Sequence, residues 1–133
     1  MTALRLLCLV YFVVLMAVAA LNYIPGVVDS DGLTFGIFEL DIFDDALHAA
    51  SALWALGAAI TSHRAARIYM LTFGALYLAD GAMGLAFGSG YLDFGIFNYG
   101  IQEWPMSFKI MANAPHLLLG GIALTAGLFL SRR

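Results

Sequence analysis

The chain has 133 residues, of which 62% are hydrophobic and 11% charged, with a formal net charge of −3. A soluble domain is about 45–50% apolar and about 25% charged, so this composition leaves too little polar surface to cover a water-exposed exterior. It excludes a soluble enzyme, a nucleic-acid binder and a disordered chain, and it points to an integral membrane protein with a single domain, residues 1–133.

Four apolar runs follow in chain order: Ala3 to Asn22, Ile42 to Ile60, Ala65 to Gly88 and Ile110 to Leu130. Each is about 20 residues, the length of helix that crosses a hydrocarbon core of about 30 Å. The short alternating strands of a closed barrel are missing. In lipid every backbone polar group must be paired internally, so the runs predict transmembrane helices. The first run has Arg5 at its start and Ala17-Val18-Ala19 near its end, the outline of a secretory signal. It also has a counterpart later in the chain, so it is read as a retained span. Cys8 has no disulfide partner and is read as a small apolar filler.

The charges are segregated. Arg5, Arg64, Arg67, Arg132 and Arg133 fall at the N-terminus, between the second and third runs, or at the C-terminus. Asp29, Asp31, Glu39, Asp41, Asp44, Asp45, Asp93 and Glu103 fall in the other two connections or at their edges. Basic residues favour the cytoplasmic side, so both termini and the middle connection are expected there, with the two acidic loops outside. His63, beside Arg64, is then expected to be solvated.

The chain carries an internal repeat. Phe35-Gly36-Ile37-Phe38 recurs 59 positions later as Phe94-Gly95-Ile96-Phe97. Asp45-Ala46-Leu47-His48 recurs 68 positions later as Asn113-Ala114-Pro115-His116. Repeat A covers about 3–62 and repeat B about 65–131. Two spans per half give halves of the same sense, related by an approximate two-fold axis along the membrane normal. His48 heads a helical stripe of Ala52, Ala55 and Ala59, and His116 a stripe of Gly120, Ala123 and Gly127. Small residues mark close helix contacts in membranes, so both imidazoles should point inward. In the third run Gly74, Gly81 and Gly88 recur every seven residues, which suits a left-handed bundle. The expected fold is all-α: a transmembrane four-helix bundle of two tandem, parallel-related helical hairpins.

These residues resemble a known family. Phe35-Gly36-Ile37-Phe38-Glu39, Asp45-Ala46-Leu47-His48, Ala66-Arg67-Ile68-Tyr69 with Phe73-Gly74 and Tyr77, and Asn113-Ala114-Pro115-His116-Leu117-Leu118-Leu119-Gly120 are similar to the bacterial domain-of-unknown-function 4383 (DUF4383) family. Its members are small four-span membrane proteins. The resemblance implies a multi-pass protein of the bacterial inner membrane, and it implies no activity. Where the family carries an Asn near the first histidine, this chain has Asp44 and Asp45.

Three ionisable groups fall within or near the spans at similar depth: His48, Asp80 and His116. A carboxylate in a membrane interior is usually paired or functional. One reading has His48 and His116 as cofactor-binding residues, ligating a haem b iron from opposite sides. Another has His48, Asp80 and His116 around a single metal ion, with Met83, Met106 and Met111 as further soft ligands for copper. A third is an organic ligand such as a quinone or a lipid. A purely structural reading makes Asp41, Asp44 and Asp45, and likewise Asn113 and Pro115, helix-start signatures. Asp80 then bonds Tyr77 or a histidine, and the histidines bond a neighbouring loop. No catalytic constellation, nucleotide loop or basic nucleic-acid patch is present. The expectation is a non-enzymatic accessory subunit, in contact with the lipid bilayer and with a larger respiratory or photosynthetic membrane complex.

Overall fold

The computed structural model describes residues 1–130. Arg132 and Arg133, counted above among the cytoplasmic charges, lie outside the described residues, as does the last residue of repeat B. The described chain is all-helical: α1 (Ala3–Ala20, extended by a 3-10 turn at Leu21–Tyr23), α2 (Ile42–Thr61), α3 (His63–Phe87), the short α4 (Gly95–Tyr99) and α5 (Met106–Phe129). Among the described residues three helices are long and apolar enough to cross a membrane: Ala3–Tyr23, His63–Phe87 and Met106–Phe129. The 20-residue α2, with Asp44, Asp45 and His48 in its first turns, is not one of them, although a fourth span was expected over it.

Local chemistry sets the helix ends. The Asp41 side chain accepts from the backbone N–H groups of Phe43 and Asp44, and Asp44 reaches back to the Asp41 N–H, which closes a capping box at the start of α2. Ser62 is the only residue between α2 and α3; it is extended, and its hydroxyl accepts from the Ala65 N–H at 3.0 Å. Gly88 ends α3 in the left-handed region, at φ +80°, which favours glycine. α5 starts earlier than its apolar run, directly after Pro105, so Asn113 and Pro115 lie inside the helix rather than at its start. The Asn113 amide donates to the Lys109 carbonyl one turn back, and its side chain fills the space over Gly84.

α1 packs chiefly on α2 and α3 chiefly on α5, with α2 and α3 in contact. The main chains of α3 and α5 touch: a Cβ at Gly74 would overlap the Leu124 backbone, and one at Gly120 the Leu78 backbone. Gly81 faces Leu117 in the same seam. One end of the assembly is basic. There the Arg5 guanidinium donates to the Ala59 and Ile60 carbonyls at 2.6 and 3.2 Å, and Arg67 to the Gly127 carbonyl at 3.4 Å. Both arginines satisfy carbonyls in the last turns of helices, where positive charge belongs. His63 is not in a solvated connection: it opens α3, and its Nδ1 lies 3.0 Å from the Thr2 hydroxyl. Cys8 is fully buried, with the Ala66 carbonyl nearby.

The opposite end carries the long connections and the acids. Asn22 donates to the Leu40 carbonyl and to Asp45, while its own carbonyl accepts from Thr34, which fastens the first loop to α1 and α2. The two Phe-Gly-Ile-Phe copies do not pair as a ribbon. The first forms a tight turn bridged between Thr34 and Phe38, and the second enters α4. Phe35 and Phe94, 59 positions apart, share a left-handed backbone, with φ of 54° and 62°, and no other described residue except glycine does. The loops meet where the Tyr99 hydroxyl donates to Asp41 at 2.9 Å. That carboxylate disfavours the phenolate and pushes the Tyr99 hydroxyl up to about 12. Asp41→Asn is expected to return it toward the ordinary value of about 10. The check is the ultraviolet phenolate titration, with Tyr99→Phe identifying the transition; an unchanged titration in Asp41→Asn contradicts the contact.

Candidate functional site: a cavity at the acidic end

Three neighbouring helices bring His48, Asp80 and His116 together. His48 sits in the second turn of α2, Asp80 two turns from the end of α3, and His116 just after Pro115 in α5. Asp80 Oδ2 pairs with His116 Nδ1, and the two imidazoles meet edge to face with centroids 5.9 Å apart. Asp80 and His48 are each 4% exposed.

Asp80 does more than meet a histidine. Its Oδ1 accepts the backbone N–H groups of Tyr91 and Leu92, both at 2.9 Å, so it pins the second loop onto α3. The loop can approach only because residue 90 is glycine, since a Cβ there would run into the carboxylate. An ionised carboxylate accepts and does not donate, so His116 carries its proton on Nδ1 and leaves Nε2 for another partner. Tyr77, the other candidate partner of Asp80, instead shares a hydrogen bond of 2.9 Å with the Ser51 hydroxyl. A column of rings on α3 leads to the site: Tyr69 stacks on Phe73 at 5.2 Å, Phe73 on Tyr77 at 3.8 Å, and Tyr77 lies 4.9 Å from His116.

His48 has no such support. Among the described residues two buried side-chain polar atoms lack a hydrogen-bond partner, His48 Nδ1 and the Tyr69 hydroxyl. Leaving a buried donor or acceptor unmet costs about 1–3 kcal/mol. Tyr69 is enclosed by rings and is fully buried. His48 instead lines a cavity of about 390 Å³.

That cavity opens among the ends of α1, α2, α3 and α5 beneath both loops. Its wall is mostly apolar, with Leu15, Val18, Phe38, Trp104, Phe108 and Leu119 contributing. The polar groups on it are the two histidines and four acids, Asp80, Asp44, Asp93 and Glu39, and Ser89, Tyr99 and Asn113 add neutral polar groups. The carboxyl groups of Asp44 on α2 and Asp93 in the second loop lie close together on its wall. No lysine or arginine contributes to the lining.

The three residues singled out from sequence therefore converge; of the two partners expected for Asp80 the structure has the histidine, and the loop amides on Asp80 were not foreseen. The loop amides that hold Asp80 leave no side-chain signature, and only Gly90 hints at them. Among the described residues no three His, Cys, Asp or Glu side chains are grouped as a metal ion would require. Met106 and Met111 are both at least half exposed. The chain matches no protein-family model, no curated protein and no solved structure.

Proposed function

We propose that this is a non-enzymatic protein of the bacterial inner membrane that holds a small, mostly apolar molecule with one polar end in the cavity at its outer face. The observation that carries the reading is His48 Nδ1, buried and unmet, on the wall of an apolar cavity of about 390 Å³. Small-molecule sites are of this kind: about 300–1,000 Å³, mainly apolar, with a few placed polar groups. The Asp80–His116 pair and the loop amides on Asp80 support a pre-formed site.

The finer architecture belongs to the same proposal. In it α2 is a fourth span and the chain is a four-helix bundle of two tandem hairpins, as the DUF4383 resemblance implies, with both termini cytoplasmic. Equivalent contacts support the duplication. Arg5 and Arg67 are 62 positions apart, Ala59 and Gly127 are 68 apart, and each arginine donates to the carbonyl of its partner. The same spacings carry Asn22 onto Gly84 and Asp45 onto Asn113; Asn22 bonds Asp45, and Gly84 lies against Asn113. The exposed apolar residues of α1 and α5 suit lipid or a larger membrane complex, where a small accessory subunit would sit.

Purification from bacterial membranes in mild detergent, followed by solvent extraction and mass spectrometry, tests the binding. One apolar compound is expected in near-equal molar amount with the protein, and it should be lost from Ala112→Trp, which fills the cavity. Identical extracts from the two proteins overturn the reading. A Soret band that disappears in His48→Ala or His116→Ala replaces the ligand proposed here with haem.

A further inference from the structure

We infer that the molecule in this cavity is uncharged and presents a carbonyl-type oxygen to His48, and that Val18 is the residue that reserves the place for it. The inference rests on the cavity being a binding site and names the chemistry of its ligand.

The two halves differ at a pair of equivalent positions that lines this cavity. The spacing that carries Arg5 onto Arg67 carries Val18 onto Asp80, and the spacing that carries Ala59 onto Gly127 carries His48 onto His116. In the second half the carboxylate of Asp80 meets Nδ1 of His116. In the first half the equivalent pair is Val18 and His48, and an isopropyl group accepts no hydrogen bond. His48 Nδ1 is accordingly the buried imidazole nitrogen without a partner, and both Val18 and His48 line the cavity. Whatever completes the first half stands where Asp80 Oδ2 stands in the second, so it is an acceptor oxygen and His48 is its donor.

The lining fixes the charge. Asp44, Asp93 and Glu39 border the same cavity without any basic residue, which disfavours a carboxylate or a phosphate. One turn deeper, past Val18 and His116, the walls are Leu15 and Leu119. They suit a hydrocarbon ring or tail, and an ammonium head offers no acceptor to the His48 N–H. A benzoquinone with an alkyl tail has this combination of an acceptor oxygen, no charge and an apolar body.

Titration calorimetry on the full chain in detergent micelles tests this with three probes that share a ten-carbon tail: decyl-benzoquinone, decylbenzene and decanoate. The quinone is expected to bind at least about tenfold more tightly than either of the others, and tenfold corresponds to about 1.4 kcal/mol. Val18→Asp supplies the missing carboxylate and should weaken the quinone about tenfold while leaving decylbenzene unchanged. Its His48 Nδ1 nitrogen resonance should move to that of His116. His48→Phe, which keeps the ring and removes the donor, should weaken the quinone equally if Val18→Asp does not fold. Equal affinity for the quinone and decylbenzene, or variants that bind the quinone as the wild type does, overturns the inference and leaves the cavity as a binding site. Tighter binding of decanoate overturns the charge argument. Failure of all three probes to bind removes the binding site itself.

Discussion

Asp80→Ala is expected to destabilise the folded chain by about 3–5 kcal/mol, the range for removing one partner of a buried pair. The loss has two sources that act together. The His116 Nδ1–H would lose its acceptor, and the N–H groups of Tyr91 and Leu92 would lose theirs. Asp80→Asn separates the two. Its amide oxygen still accepts from the loop, and its NH2 donates to His116 once the imidazole moves its proton to Nε2. The cost should therefore fall to about half. Unfolding in mixed micelles gives the energies, and hydrogen exchange at Tyr91 and Leu92 gives the mechanism: both amides should exchange fast in Asp80→Ala and slowly in Asp80→Asn. Protected loop amides in Asp80→Ala would show that the loop is held by something else.

Two adjacent glycines in α5 should respond to alanine with opposite signs. A Cβ at Gly120 would stand 2.5 Å from the Leu78 backbone nitrogen and 3.0 Å from the Gly74 carbonyl oxygen, so α3 and α5 must separate to admit it. The backbone contact would be lost over the whole seam, and Gly120→Ala is expected to cost about 1–3 kcal/mol. Gly121 has open space around its Cβ position. Gly121→Ala should gain about 0.5–1 kcal/mol from the lower entropy of the unfolded chain. Thermal unfolding of the two variants side by side decides the point. If both shift in the same direction, the helices are not in backbone contact at residue 120.

Sequence patterning located the helices because lipid demands long apolar runs, and α1, α2 and α3 begin and end close to where those runs do. The start of α5 was less legible. The polar Asn113 and the following Pro115 imitate a helix start, but Asn113 bonds the carbonyl one turn back and the helix begins at Met106. The convergence of His48, Asp80 and His116 was readable from helical spacing alone, since residues at known depth on inward faces must meet. An Asp80–histidine bond was one of two alternatives expected, and the bonds from the loop amides to Asp80 were not legible. Tyr77 bonds Ser51 instead, and the second loop reaches Asp80 because Gly88 takes a left-handed turn and residue 90 has no Cβ, features that lie in the backbone rather than in side-chain pattern. The significance of Val18 was invisible for a simpler reason. A valine in an apolar helix carries no signal until the contact it fails to make is seen in its counterpart.

The uneven apolarity of the helices bears on how the chain enters a bilayer. α1 can partition from water by itself, whereas α2 brings Asp44, Asp45 and His48 with it. The segment of α1 meets part of that polarity: Asn22 and Tyr23, just past its end, reach Asp45, and Arg5 closes the last carbonyls of α2. In the proposed four-span arrangement α2 would carry these groups into hydrocarbon already in contact with α1, so the two helices would enter as a pair rather than singly.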